Sequence, residues 1–253
     1  MRTSASYNSL QELTGTQSQN LGAGTIAGKS RPVTGVILLA EASASGTPGN
    51  PFISAECVLN GGIAATATFQ SPWPIARGMY YDVEARSKDG DGAFLMVSSL
   101  PKGEARALEA LPARYFFDAV FSAAGRFGAY GAPTDVKLVK STLNAEGTTR
   151  YVEIQFSALT PSLSEVPRRA LIAATVPKGS DDVLMLVGGA ATSRWKKGGE
   201  ETVRAAVDSF KVSETRATKL RRVRSSDYRF EKQGGLWASA ADSNEALFNV
   251  QGE

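Results

Sequence analysis

The clearest helical pattern in the chain lies between about residues 199 and 210. Val203, Val207 and Phe210 recur at helical spacing, so one face of this helix needs an apolar cover. The runs upstream of it, apolar and broken by short polar linkers, are typical of β-strands. The pattern therefore predicts a closing helix that packs against a sheet.

Nine runs upstream of this helix are strand candidates. They cover 32–44, 52–59, 63–69, 78–85, 93–100, 135–142, 150–159, 168–176 and 182–188. For 32–44 the alternative is the apolar core of a signal peptide, which Glu41 disfavours. Asn60-Gly61 between the second and third runs predicts a type I′ hairpin turn, with positive φ at both residues. The last four runs have linkers too short for crossover helices, so neighbouring strands are expected to pair antiparallel.

Two further segments predict how the core is closed. Residues 102–124 are helical in pattern, in two pieces around Pro112, and the second piece carries Phe116, Phe117 and Phe121 on one broad face. An aromatic stripe of this kind is typical of a buried core face. Trp73, within Ser71-Pro-Trp-Pro74, is expected to be an anchor at the edge of the core.

The composition divides the chain into three parts. Residues 1–31 are rich in small and hydroxyl residues, which indicates a flexible or targeting segment. Residues 32–213 form the predicted domain, and 214–253 form a basic and then mixed tail. Arg221, Arg222 and Arg224 lie in the basic run of that tail. The run is either a solvated tail or a docking arm that orders on an acidic partner or an anionic membrane.

Residue counts exclude several kinds of chemistry. The chain of 253 residues contains no histidine and one cysteine, Cys57. It therefore cannot form a Ser-His-Asp triad, an internal disulfide or a cysteine-based zinc site. The formal net charge of +3 is too small to indicate nucleic-acid binding. These residues predict no cofactor and no small-molecule substrate.

Carboxylates are the remaining candidates for metal binding or catalysis. Ser87, Asp89 and Asp91 match the first positions of a calcium loop, but Ser98 stands where that loop needs a glutamate. A polar hairpin turn is the better interpretation, and Asp89 and Asp91 stay weak metal candidates. An enzyme that uses Glu84, Asp89 or Asp91 would need a concave pocket and shifted carboxylate pKa values.

Two loops between Ser54 and Val212 have recognisable motifs: Ser71-Pro-Trp-Pro74 followed by Met79-Tyr-Tyr-Asp82, and Gly131-Ala-Pro-Thr-Asp135. They resemble the Pro- and Trp-containing loop and the turn after the helix in the PsbP family of chloroplast thylakoid proteins. The most specific likeness is at the C-terminal end of the domain. It comprises Arg168 to Val176, Asp182 to Gly188, Arg194-Trp-Lys-Lys-Gly198 and Val207-Asp-Ser-Phe-Lys-Val212. The likeness is greater to divergent PsbP-domain proteins than to the photosystem II subunit.

The resemblance implies an α+β fold, an α/β/α sandwich with a central antiparallel sheet and helices on both faces. It implies a non-enzymatic protein of the thylakoid lumen, peripheral to the membrane, that serves a photosystem as an extrinsic subunit or assembly factor. The oxygen-evolving complex of photosystem II is the first expectation. Calcium is implied only by family analogy, and the family's histidines have no counterpart here. The alternatives are a stromal or lumenal scaffold outside the photosystems, and a carboxylate-dependent enzyme on the same fold.

The segment that carries the strongest likeness also holds the candidate docking residues. Arg194, Lys196 and Lys197 could face an acidic partner while Trp195 anchors the loop. The simpler interpretation places Trp195 and Phe210 in the core and leaves the cations to cover the start of the helix. Both interpretations make Trp195 and Phe210 structural anchors.

Overall fold

The computed structural model describes residues 36–43, 51–76, 83–101, 107–122, 125–213 and 215–218. The strands are β1 (Val36–Ser43), β2 (Pro51–Leu59), β3 (Ile63–Gln70), β4 (Glu84–Arg86), β5 (Gly92–Ser99), β6 (Thr134–Leu143), β7 (Thr149–Leu159), β8 (Glu165–Thr175), β9 (Asp182–Ala191), β10 (Lys211–Val212) and β11 (Arg216–Ala217). A 3₁₀ turn (Leu108–Ala110) precedes helix α1 (Ala113–Val120). A helical turn (Thr192–Arg194) and a wider turn (Trp195–Gly199) lead into helix α2 (Glu200–Asp208).

Six strands form the larger sheet, in the order β4-β5-β9-β8-β7-β6. Every pairing in it is antiparallel, which confirms the prediction from the short linkers. β9 lies at the centre and is buried along its whole length. Its run of apolar residues fits a strand that is covered on both faces.

The first three strands form a smaller second sheet, which the sequence did not separate from the first. Its order is β1-β2-β3-β10, and β11 also pairs with β3. β10 and β11 were not predicted, because two-residue strands carry no detectable alternation. Since Arg216 pairs with Ala64, strand pairing continues past residue 213, where the sequence placed the end of the domain.

Two apolar layers cover the two faces of the larger sheet. On one face, Leu95, Leu171 and Leu186 pack with the smaller sheet and with Val203 and Val207 of α2. On the other face, Ile154, Ile172 and Met185 pack with Phe116 and Val120 of α1 and with Leu108. The result is an α+β fold with an antiparallel sheet and helices on both of its faces, as expected.

The β2–β3 hairpin is confirmed, but its turn differs from the prediction. Leu59 pairs with Ile63, so the loop has the three residues Asn60, Gly61 and Gly62. Positive φ occurs at Gly61 (82°) and Gly62 (73°), and not at Asn60. Because the loop has three residues, Gly61 and Gly62 supply the positive φ angles and Asn60 does not need one.

Asp182 connects this hairpin to the larger sheet. Its side chain accepts hydrogen bonds from the Asn60 backbone N–H (2.6 Å), the Asn60 side-chain amide (2.8 Å) and the Ser99 hydroxyl (2.9 Å). The residue is fully buried, so the hydrogen bonds replace the water that its carboxylate loses on folding.

Some of the remaining segment predictions are confirmed, and others concern residues that the structure does not describe. β1 pairs with β2, which confirms a strand within 32–44. Within 102–124 the structure describes two helical pieces, a 3₁₀ turn at Leu108–Ala110 and a helix at Ala113–Val120. The predicted tail after residue 218, the segment 1–31 and most of the predicted strand 78–85 lie outside the described residues.

Candidate functional site

Four of the charged residues singled out from the sequence meet at one turn, Ser87–Asp91, which joins β4 to β5. The turn is closed by a hydrogen bond from the Ser87 backbone N–H to the Asp91 carbonyl (2.8 Å). Gly90 adopts a φ of 82° within it, a conformation that glycine reaches without strain. Glu84, Asp89 and Asp91 lie on or beside this turn, and Arg194 reaches it from the segment that precedes α2.

Asp91 and Arg194 form a two-pronged ion pair. Arg194 donates from Nε to Asp91 Oδ2 (2.6 Å) and from Nη2 to Oδ1 (2.7 Å). Asp91 Oδ1 also accepts the backbone N–H of Ala191 (3.0 Å), and Arg194 donates to the Asp89 carbonyl (2.9 Å). The parallel N–H···O bonds match the geometry of a guanidinium and a carboxylate. They join the β4–β5 turn to the end of β9.

The ion pair lowers the pKa of Asp91. Burial alone would raise this pKa, but the hydrogen bonds from Arg194 and Ala191 and the charges of Arg194 and Arg168 outweigh burial. The same hydrogen bond from Arg194 to Asp91 raises the pKa of Arg194. Both shifts favour the charged forms, so Asp91 is ionised throughout the neutral range.

Two further arginines bind the turn through its backbone. Arg168 donates from Nη2 to the Gly90 carbonyl (2.6 Å), and Arg126 donates to the same carbonyl. Both guanidinium groups lie over the ring of Phe127, 5.5 and 5.7 Å from its centroid. Burial, followed by the positive charge of Arg126, lowers the pKa of Arg168 to about 10. The ring and the carbonyl stabilise two like charges that lie side by side.

Glu84 is the second carboxylate of this group. It is buried, and its Oε1 lies 3.2 Å from Nη1 of Arg126 and 3.7 Å from Nη1 of Arg86. We refer to the six residues as the arginine cluster: Glu84, Arg86, Asp91, Arg126, Arg168 and Arg194. Four guanidinium groups surround two carboxylates, so the cluster carries net positive charge.

This charge balance bears on the weak metal candidates. A cation at Asp91 would have to displace Arg194 and lie near Arg168, 3.8 Å from the same carboxylate. Asp89 is exposed, and its carbonyl is engaged by Arg194. Within the described ranges no group of three or more acidic or cysteine side chains could hold a metal ion. A calcium site at this turn stays a prediction of the sequence alone.

The docking candidates are in three different situations. Arg194 is held by Asp91, within the protein. Lys196 and Lys197 are exposed on the wider turn. Arg221, Arg222 and Arg224 lie outside the described residues.

The three anchor residues lie in the core layer between the larger sheet, the smaller sheet and α2. Trp195 is 2% exposed and packs among side chains of the smaller sheet and α2. Trp73 and Phe210 lie in the same core layer. The Trp73 backbone N–H donates to the Ser71 hydroxyl (3.1 Å), and that hydroxyl donates to the Trp73 carbonyl (3.0 Å). The Ser71 hydroxyl thus satisfies both backbone polar groups of Trp73.

The sequence reasoning missed Arg86, Arg126 and Arg168 as members of the site. Arg168 and Arg169 directly precede the apolar run 170–174, and Arg126 lies between Gly125 and Phe127. A charged residue inside an apolar stretch needs a buried partner. That signal indicates the need for a partner but does not identify it, because Gly90 and Asp91 are far away in the sequence.

No family model matches the chain, and no curated protein matches it. Among solved structures, it is similar to the solution structure of cyanobacterial PsbP (CyanoP) from Synechocystis sp. PCC 6803. The two chains are 15% identical with a TM-score of 0.38, and the match covers 76% of this chain and 99% of that one. No helix among the described residues is long and apolar enough to cross a membrane.

Proposed function

We propose that the chain is a non-enzymatic accessory protein of the PsbP kind that works by binding a larger protein complex. The observation that carries the proposal is the pairing of Glu84 and Asp91 with arginines in the arginine cluster. A general acid or base needs a pKa near the working pH, and the ion pair with Arg194 lowers the pKa of Asp91 away from it. Asp91 thus serves the fold.

The sequence stretch that most resembles the PsbP family supports the same proposal. Within Arg194–Gly198, Arg194 binds Asp91, Trp195 fills the core, and Gly198 adopts a φ of 94°. These three residue types therefore have structural roles at their positions. A resemblance carried by residues of this kind concerns the architecture of the domain.

The partner that we propose is a photosystem, with the oxygen-evolving complex of photosystem II first, and the location is the thylakoid lumen. Both rest on the sequence resemblance. Calcium and other cofactors are not part of the proposal. A scaffold in the stroma that binds another complex is the alternative outcome of the experiments.

Affinity capture from solubilised thylakoids tests the partner. The tagged full chain is incubated with detergent-solubilised thylakoids, and the retained proteins are identified by mass spectrometry. We expect photosystem subunits to be enriched over a tag-only control. Retention of no photosystem and no other thylakoid complex would overturn the proposal.

The location has its own experiment. The tagged precursor is imported into chloroplasts, and isolated thylakoids are then treated with protease. We expect the protein to be protected until detergent opens the lumen. Degradation before detergent is added would assign the protein to the stromal side.

A further inference from the structure

β6 is an unusually long edge strand. It has ten residues, Thr134–Leu143, and pairs with β7 along one edge only. No strand in the described part of the chain pairs with its other edge. Ten residues of strand extend over roughly 30 Å. An edge of this length presents a row of backbone donors and acceptors that can pair with another chain.

Exposed apolar side chains concentrate on this strand. Leu138, Val139 and Leu143 are 44%, 46% and 37% exposed. Leu138 lies opposite Ile154, and Leu143 lies opposite Arg150. Ile154 faces the α1 layer of the core, and Arg150 lies over the ring of Phe116 of α1. Leu138 and Leu143 therefore both lie on the α1 side of the edge, with Ser141 between them.

The opposite face of β6 carries unpaired positive charge. Lys137 lies opposite Gln155, and Lys140 lies opposite Glu153. Glu153 is paired instead with Arg169 (3.5 Å) and Arg204 (3.9 Å). Neither lysine has an ion-pair partner among the described residues, and both are exposed. The edge thus presents apolar side chains on one face and two cations on the other.

We propose that β6 binds an extended acidic segment of a partner protein, which adds to the larger sheet as a seventh strand. Successive side chains of a strand point to opposite faces. A segment that alternates acidic and apolar residues would place carboxylates near Lys137 and Lys140 and apolar side chains near Leu138 and Leu143. Backbone pairing gives affinity in this mode of recognition, and the alternating side chains give specificity.

A second copy of the chain is a poor occupant of the same edge. Antiparallel pairing of two β6 strands, centred between Leu138 and Val139, would set Lys137 of one copy against Lys140 of the other. Like charges directly opposite each other destabilise a strand pair. Neighbouring registers still place the four lysines of the two copies close together.

The undescribed ends of this chain do not match the edge either. Residues 1–35 contain three basic and one acidic residue, and residues 219–253 contain six basic and five acidic residues. Taken whole, neither segment carries net negative charge. Residues 233–253 hold three acidic and no basic residues, but none of the three are two positions apart, as carboxylates on one face of a strand would be. Charge complementarity therefore favours a separate, acidic partner.

The irregular features of β6 fit a selective edge. Its pairing with β7 shifts register between Thr134 and Lys137 and again between Leu138 and Lys140. Bulges and lysines are common devices that keep an edge from pairing with other strands. The lysines repel a basic strand and attract an acidic one, so the same residues provide specificity.

A synthetic peptide serves as the probe for this surface. We would use a ten-residue peptide in which glutamate alternates with valine, labelled with a fluorophore, and measure its binding to the full chain by anisotropy. A matched peptide with lysine in place of glutamate tests the sign of the charge. We expect the glutamate peptide to bind, the lysine peptide not to bind, and added salt to weaken binding.

Charge reversal locates the site. We expect K137E/K140E to weaken binding of the glutamate peptide by about tenfold or more. The control K178E/K211E makes the same change of net charge at two exposed lysines outside β6, and we expect its affinity to stay within about twofold of the original chain. Circular dichroism verifies that both variants remain folded.

Hydrogen exchange then distinguishes strand addition from loose electrostatic attachment. We expect the peptide to slow amide exchange within 134–143, because added pairing protects the free N–H groups of the edge. Three results would overturn the proposal: no binding of the glutamate peptide, equal binding to K137E/K140E, or protection confined to other strands. A dimer of the free chain that K137E/K140E abolishes would also overturn it, because the edge would then belong to a second copy.

This inference rests on the proposed binding function but not on its location. Capture of a photosystem with unchanged efficiency by K137E/K140E would leave the accessory function standing and remove β6 as its interface. Peptide binding at β6 without capture of any thylakoid complex would support β6 as a binding edge and overturn the proposed accessory function.

Discussion

At the scale of single residues, Asp91 joins segments that are far apart in the sequence. Its carboxylate accepts the Ala191 N–H, one hundred residues along the chain, and both prongs of Arg194. Its removal would leave Arg168 and Arg194 near each other without an opposing carboxylate. The arginine cluster is therefore sensitive to a small change of charge.

We expect Asp91→Asn to lower the free energy of unfolding by about 2 kcal/mol at pH 7. A broken buried ion pair destabilises by more than this, but Arg194 is partly exposed and water screens part of the loss. Urea unfolding followed by circular dichroism measures the change. Asp118→Asn is the control, because that carboxylate is half exposed, and we expect its effect to stay below about 0.5 kcal/mol.

The pH dependence of this difference has a definite sign. The folded protein lowers the pKa of Asp91, so the unfolded chain binds the proton first as the pH falls. The stabilisation is complete above the unfolded value of about 4 and is lost as the pH falls through the lower folded value. The difference in free energy of unfolding between the original chain and D91N should therefore become smaller below about pH 4. A gap that is constant from pH 7 to pH 2 would contradict the ion-pair explanation.

Half of the residues of the arginine cluster were singled out from the sequence, but the contacts between them were not predicted. Glu84, Asp91 and Arg194 were all singled out, because each is a charged residue within or beside a recognisable pattern. Their mutual contact was not predictable, since Asp91 and Arg194 were assigned to different roles and lie on different elements. A pair of this kind depends on the register of β5 against β9, which local patterns do not determine.

At the scale of elements, the packing of α2 on β9 depends on one small residue. A Cβ atom at Gly188 would lie 2.9 Å from Cγ2 of Val207 and 3.0 Å from Cγ1 of Val203. Both valines belong to the buried face of α2. The helix can approach the centre of the sheet this closely because β9 has no side chain at that position.

We expect Gly188→Ala to destabilise the protein by about 1–3 kcal/mol, because the added methyl group overpacks this contact. Val207→Ala removes one of the two opposing methyl-bearing side chains. In the double variant G188A/V207A the two effects should be less than additive, as expected for residues in contact. Chemical denaturation of the four proteins gives the coupling energy. Strict additivity would show that α2 does not pack on Gly188.

Elements were more predictable than their assembly. The four strands β6 to β9 and helix α2 were predicted within a few residues of their observed bounds, because each has a strong period and clear polar boundaries. The separate sheet of β1–β3 was not predicted. This sheet also contains β10 and β11, which pair with β3. These two-residue strands carry no pattern of their own.

At the scale of the whole molecule, Cys57 lies in the core layer between the two sheets. Its side chain is free and completely buried. Burial, with a smaller contribution from the charge of Glu56, raises the pKa of its thiol to about 12. A thiol of this kind reacts only when the layer opens, so it reports on the stability of the whole core.

We expect the native chain to resist a disulfide reagent at pH 8 and to react within the mixing time in concentrated urea. The rate of native labelling measures the population of the open state when reclosing is fast. If opening is global, D91N should label about 30-fold faster for a loss of 2 kcal/mol. Rapid labelling of the native chain would contradict the burial of Cys57, and an unchanged rate in D91N would assign the opening to a local motion.

The central position of β9 also determines when the molecule can be completed during synthesis. Leu95 of β5 pairs with Leu186 of β9, and Ala173 of β8 pairs with the same residue from the other side. Until β9 leaves the ribosome, both neighbouring strands keep an open edge, and the smaller sheet still lacks β10. Pairings between distant residues form slowly, and open apolar edges promote aggregation. A nascent chain stalled before residue 182 would thus be a client for a chaperone and not a smaller folded unit.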